Sequence, residues 1–235
     1  AAIKKMKKRE YNVVRLELPQ DQPPKDRYAV ARDTFGEWLA AGVLAQDALP
    51  AFYLYEHTFE WQGTTYRRLG VLGLLELTDA SVAQVRPHEA TFEGPKADRL
   101  KLLDAVQANL SPVFCVAPDA DGALRALLTQ CRDAGQPSAS ATLSEGESAR
   151  VWVVSDPQQI SGIQRVLGPK TVLIADGHHR FAVAALRRAR HPAVMCFFAC
   201  LEDPAVVLRP IHRVVNVPEA QRGGWAAEMA RLCEI

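Results

Sequence analysis

Residues 171–190 constrain this chain most. An apolar run of Val172, Leu173, Ile174 and Ala175 breaks at Asp176-Gly177-His178-His179-Arg180 and resumes as Phe181-Ala182-Val183-Ala184-Ala185-Leu186. A short β-prone run, a turn glycine and then an apolar helical period predict a strand, a tight polar turn and a helix. Glycine lets the backbone turn closely, and the first N–H groups of a helix have no partners within it. Two imidazoles and a guanidinium crowd the same place, so the pattern predicts an anion site, above all for a phosphate. The plain alternative is a solvated turn with incidental histidines.

The segments around this turn predict an α/β (or α+β) protein with a mixed sheet flanked by helices. From Val151 the reading is a strand over 151–154, a helix capped by Ser155 and ending at Leu167, the strand 171–175, the helix after Arg180, a strand over 193–201 and a β segment over 205–215. Earlier, residues 13–18 read as a strand, and Asp26 caps a helix with Tyr28, Ala31, Phe35, Trp38 and Leu39 on one face, ended by Gly42. Two β segments, 52–61 and 66–77, join in a hairpin at Gly63, followed by a helix over 98–109, a short strand over 112–116 and a helix over 123–132. We expect two α/β portions, 1–134 and 149–235, the second carrying the anion turn. The polar stretch 135–148 is expected as a mobile loop or hairpin tip between them. Residues 1–9 read as the tail of a helix and 226–232 run out uncapped, so the chain is expected to be a fragment of a longer protein.

With 48% apolar residues over 235 positions, the chain can bury the core of one domain or of two closely joined ones. Its 28 basic against 27 acidic residues give no basic surplus of the kind that marks a nucleic-acid surface. No apolar run approaches the roughly 20 residues needed to span a bilayer, and no leader pattern opens the chain, so a cytoplasmic location is expected. The five cysteines form no CxxC pair and read as reduced core residues, with Cys196 and Cys200 on the same side of one strand.

Four segments carry candidate chemistry. At the turn, backbone N–H groups of Gly177, His178, His179 and Arg180 would bond a phosphate, helped by the Arg180 charge and a protonated imidazole. Asp176 would repel that anion unless it orients a histidine or holds Mg²⁺, which favours a nucleotide with its metal. In Arg86-Pro87-His88-Glu89-Ala90-Thr91 a base, an acid and a hydroxyl fall within a few residues, and Glu89 could take a proton from an attacking hydroxyl. The alternative there is a surface loop. Asn109 and Ser111 sit where a helix gives way to a strand, as cap and turn residues or as substrate contacts. In Arg209-Pro210-Ile211-His212-Arg213 alternation puts His212 opposite Arg209 and Arg213, as a core residue or a phosphate contact. His88, His178, His179 and Asp176 could instead assemble a metal site.

Together these segments resemble a widespread bacterial and archaeal family catalogued as a domain of unknown function and loosely labelled ParB-like. The resemblance runs through nearly the whole chain. It is carried by Tyr11-Asn12-Val13-Val14-Arg15-Leu16-Glu17-Leu18-Pro19, Tyr28 with Phe35 and Trp38-Leu39, Pro87-His88-Glu89-Ala90-Thr91, and Asp98-Arg99-Leu100. It continues through Ala108-Asn109-Leu110-Ser111-Pro112-Val113-Phe114, Ala175-Asp176-Gly177-His178-His179-Arg180 and Pro210-Ile211-His212-Arg213. The Asp-Gly-His-His-Arg element is the most specific, and it is similar to the nucleotide-phosphate turn of the ParB and sulfiredoxin superfamily. Some relatives with that turn are free-serine kinases, which move a phosphoryl group from ATP or ADP to a hydroxyl.

The resemblance implies a ParB/sulfiredoxin-like nucleotide-binding core and an ATP- or ADP-dependent kinase acting on a small hydroxylated metabolite. Gly177, His178, His179 and Arg180 would cradle phosphate, Asp176 would lie near Mg²⁺ or the reacting hydroxyl, and Glu89 would be the base. His88, Thr91, Asn109, Ser111, His212 and Arg213 stand as candidate substrate contacts. The expected partners are therefore a nucleotide and a small molecule, with no nucleic acid and no membrane. Ile211 departs from the pattern, standing where a smaller polar residue is expected before the histidine. The other functional classes are a non-catalytic nucleotide-binding regulatory module and a ParB-like nucleic-acid-associated protein.

Overall fold

The computed structural model describes residues 2–207 and Gly224. Three helices open the chain: α1 (Ala2–Lys7), α2 (Val14–Glu17) and α3 (Arg27–Ala40). Asp26 caps α3, its carboxylate accepting from the Ala29 N–H at 2.8 Å, as the sequence predicts. Residues 13–18 are helical rather than extended. The Asn12 side chain accepts from the Val14 N–H at 3.0 Å and starts a helical turn in which Leu16 is buried, so a local polar bond outweighs the β preference of the two valines.

A hairpin follows, β1 (Phe52–Trp61) and β2 (Thr64–Glu76), paired from Trp61↔Thr64 onward. Its two turn residues, Gln62 and Gly63, both have positive φ, 50° and 75°, which matches the right-handed twist of the strands it joins. Next come α4 (Asp79–Gln84), the two-residue β3 (Val85–Arg86), α5 (Glu93–Val106), β4 (Val113–Ala117) and α6 (Ala123–Asp133). Helix α5 begins five residues before Asp98, because Pro95 is tolerated in a first turn, and it ends at a left-handed Gln107 instead of Asn109. The remaining elements are β5 (Ala139–Ser144), β6 (Glu147–Val154), α7 (Pro157–Leu167), β7 (Val172–Asp176), α8 (His178–Leu186) and β8 (Ala193–Cys200). The cap of α7 is Asp156, one residue beyond Ser155; its carboxylate accepts from the N–H groups of Gln158 and Gln159.

The strands form one eight-stranded mixed sheet in the order β3-β7-β4-β8-β2-β1-β6-β5, flanked by helices. Strand β8 joins its halves, antiparallel to β2 and parallel to β4. The sheet draws on both expected portions of the chain, since β6 pairs with β1 and β8 pairs with β2 and β4. Residues 135–148 carry β5 and the tip of its hairpin with β6.

Alternation in β7 buries Val172 and Ile174 and exposes Leu173. The main core gathers Leu54, Val71, Val113, Leu124, Leu128, Ile163 and Ile174 on the sheet and under α6 and α7. Cys115, Cys131, Cys196 and Cys200 are free and buried in the same core. The thiol of Cys196 bonds with Cys115 and is buried, both of which push its pKa up; burial and the neighbouring Asp119 push Cys200 up to about 12. A second, smaller cluster of Ala31, Leu102 and Val106 ties α3 to α5, with Tyr28 and Phe35 against it. It lies beside the start of α8, where the cleft described below opens.

Among the described residues no helix is long and apolar enough to cross a membrane.

Candidate functional site

Strand β7 delivers its end to the turn through an irregular step. Phe114 pairs with Asp176 while the next residue, Cys115, pairs with Ile174, so Ala175 is an extra residue and Asp176 is turned outward at the last position of the strand. Gly177 follows with φ +95°, a conformation that side chains rarely adopt. A Cβ there would lie 2.9 Å from Nε and Nη2 of Arg180, so only glycine leaves that guanidinium in place. Gly177 supplies no side-chain cap to α8. The first amides of this nine-residue helix have no acceptors within it and carry the positive end of its dipole.

Arg180 is held from two sides. Its Nη1 donates to Ser111 Oγ at 2.5 Å and its Nη2 to Asp176 Oδ2 at 2.6 Å. The Asp176 side chain is 75% exposed, so this pair can open to an anionic guest at little cost.

The two imidazoles fasten the turn to the segment between β3 and α5. His178, buried, faces Glu89 through Nδ1, 3.0 Å from Oε1, while its Nε2 accepts from the His88 N–H at 3.4 Å. Burial lowers the His178 pKa below its ordinary value against the raising pull of the Glu89 carboxylate, so the ring is neutral at pH 7, with its hydrogen on Nδ1. His88 packs edge-on against it, ring centroids 4.4 Å apart, and its Nδ1 bonds the Ile174 carbonyl at 2.6 Å. His179 Nε2 accepts from the Phe92 N–H at 3.0 Å, and the two rings stack. The imidazoles expected to offer charge to a phosphate are thus engaged as fasteners. What the turn presents to a guest is its backbone amides and Arg180.

A cleft of about 830 Å³ opens over this turn. One wall is Asp176, Gly177, His178, His179 and Arg180 with Glu89; the other is built from the N-terminal helices and α5, with Lys7, Arg27, Tyr28, Asp98 and Arg99. On that second wall Asp98 accepts from Tyr28 Oη at 2.9 Å, pairs with Arg27 at 2.9 Å and is bonded by Arg99. Burial raises the Asp98 pKa, but the Arg99 and Tyr28 bonds and the two arginine charges outweigh it and hold the carboxyl below its ordinary value. Lys7, Arg27, Arg99 and Arg180 face Glu89, Asp98 and Asp176 in the lining, a balance that favours an anionic guest.

The structure therefore brings Glu89, Asp176, Gly177, His178, His179 and Arg180 to one cleft. Asn109 and Ser111 line a recess of about 50 Å³ beside it, together with Arg99 and Arg180. His88 and Thr91 lie on the adjoining segment, exposed and half-buried respectively, outside the cleft lining. His212 and Arg213 lie outside the described residues. Of the metal set considered from sequence, His88 and His178 do come together, but with Glu89 rather than with Asp176 or His179. The second wall was not visible as a site. Its signals in the sequence are the Asp98-Arg99 pair and Tyr28, which stand in motif segments some seventy residues apart.

A family model described as "Protein of unknown function (DUF1015)" matches residues 1–232. No curated protein and no solved structure matches the chain.

Proposed function

This chain belongs to the family of unknown function DUF1015, and for it we propose a nucleotide-binding phosphotransferase that acts on the hydroxyl of a small metabolite. The observation that carries the reading is the uncapped start of α8 at Gly177, opening with Arg180 onto a cleft of about 830 Å³, within the size range of small-ligand sites. The likeness of the turn to that of ParB and sulfiredoxin proteins and of free-serine kinases supports the same choice of ligand.

In this reading the amides of Gly177, His178, His179 and Arg180 bind the terminal phosphates of ATP or ADP, and the Arg180 guanidinium adds charge-assisted bonds. Asp176 is suited to hold Mg²⁺: it is a single exposed carboxylate beside the phosphate turn, and Mg²⁺ commonly takes one or two carboxylates plus phosphate oxygens. The ion would neutralise charge on those oxygens. Glu89 accepts the proton of the substrate hydroxyl as that oxygen bonds to phosphorus and the shortened nucleotide leaves. His178 Nδ1–H orients Glu89, which makes His178 a positioning residue. Lys7, Arg27 and Arg99 on the facing wall suit an anionic group on the metabolite. Ser111, on Arg180, and Asn109 beside it hold the guanidinium and the rim of the site.

The second reading is a nucleotide-binding module without transfer, favoured by the engagement of Glu89 Oε1 with His178. Calorimetric titration of ADP and ATP into the wild type and Arg180→Ala tests what the two readings share. Loss of a charged hydrogen-bonding group predicts affinity about tenfold to a hundredfold weaker. Unchanged affinity would overturn both. Turnover with a panel of small alcohols then separates them.

A further inference from the structure

We propose that His88, Glu89 and His178 form a binding site for a divalent transition-metal ion of the zinc type. The three residues come from two separate segments, yet one ligand atom of each lies within 4.8 Å of the others. Two imidazoles and a carboxylate are the donor set that zinc takes with an open fourth position, and imidazole nitrogen selects such ions over Mg²⁺.

The orientation of His88 is the strongest support. Its Nδ1 lies 2.6 Å from the Ile174 carbonyl oxygen, a contact that puts its hydrogen on Nδ1 and leaves the Nε2 lone pair free to coordinate. Metal-bound histidines are commonly held this way, with the second ring N–H on a backbone carbonyl. His178 Nδ1 and Glu89 Oε1 are 3.0 Å apart, near the separation of about 3.3 Å that two ligands at about 2.0 Å make around a tetrahedral ion. An ion between them takes the Nδ1 lone pair, so the ring hydrogen moves to Nε2, no proton is lost, and the 3.4 Å contact from the His88 N–H is given up. The exposed Glu89 side chain can close the remaining distance by rotamer adjustment, while His88 stays on the Ile174 carbonyl and the buried His178 is fixed. Glu89 and His178 both line the cleft, so the open coordination position faces it.

This site does not rest on the nucleotide reading and differs from the Mg²⁺ position at Asp176. It bears on that reading in one way: with an ion bound, Glu89 is a ligand rather than a base, so occupancy and proton transfer exclude one another.

The test uses the untagged chain, stripped with a chelator and titrated with Co²⁺ and Zn²⁺ without nucleotide, read by cobalt ligand-field absorbance and by calorimetry. One equivalent is expected, with the intense absorbance of low-coordinate cobalt. His88→Ala and Glu89→Gln alter exposed side chains, and far-ultraviolet circular dichroism confirms their folding. Each is expected to weaken binding by about 100-fold or more, the upper end of what losing even an outer-shell partner costs. His179→Gln removes a neighbouring imidazole outside the cluster, keeps an amide oxygen that can accept from the Phe92 N–H, and is expected to leave affinity unchanged. Absence of saturable binding by the wild type, undiminished binding in both exposed-ligand variants, or an equal loss in His179→Gln overturns the proposal. Because no nucleotide is present, neither result depends on the phosphotransferase reading.

Discussion

Glu89 and His178 meet at 3.0 Å, Oε1 to Nδ1, and so join the segment after β3 to the first turn of α8. One partner is an exposed carboxyl group, the other a buried imidazole whose burial lowers its pKa. A buried imidazole aimed at a carboxylate on a cleft wall fixes where the carboxylate can accept a proton. The pair thus supports both the proposed base and the fastening of the turn.

Replacing Glu89 with Gln keeps the shape and the contact to His178 but removes the basic oxygen. We expect nucleotide affinity to stay within a few-fold of the wild type and turnover to fall by about 10² to 10⁴. Steady-state kinetics beside calorimetry read both quantities. Weakened affinity with unchanged turnover would place Glu89 in binding and not in catalysis.

Gly177→Ala tests the backbone of the turn. At φ +95° a side chain is strained, and the new Cβ would press on Arg180 at 2.9 Å. The expected cost is about 1–2 kcal/mol of folding stability, measured by urea denaturation, together with weaker nucleotide binding as the guanidinium moves off Ser111. A variant as stable as the wild type, with the same affinity, would show that the turn needs no glycine.

Asp98 gives the second wall a pH signature. Its folded pKa lies below the unfolded value of about 3.9, so its stabilising contribution is complete above that value and is lost as pH falls through the folded pKa. Asp98→Asn is therefore expected to lower the melting temperature near neutrality and to lose less of it than the wild type on acidification below about pH 4. Parallel melting-temperature curves for the two proteins would remove Asp98 from this role.

The parts legible in the sequence are those decided locally. The strand, glycine turn and helix around Gly177, the hairpin at Gly63 and the Asp26 cap each depend on residues within a few positions of one another, and all three are present. Helix α2 runs against its local preference, since Val13 and Val14 favour a strand and the deciding bond comes from the Asn12 side chain. The site as a whole was less legible. His88 reaches His178 across ninety residues and Tyr28 reaches Asp98 across seventy, contacts set by the parallel pairing of β3 with β7 and by the packing of α3 on α5. The sequence leaves open which imidazole at the turn carries a proton, since nothing local says that the His178 ring is buried.

In the proposed function, phosphate oxygens rest on the first amides of α8. Amide ¹⁵N–¹H spectra recorded through a titration with ADP test it most directly, residue by residue. Saturable shifts are expected to be largest at Gly177, His178, His179 and Arg180, with smaller ones on the Arg27 and Arg99 wall. Saturable shifts confined to other surfaces, or none at ADP concentrations well above the physiological range, would contradict it.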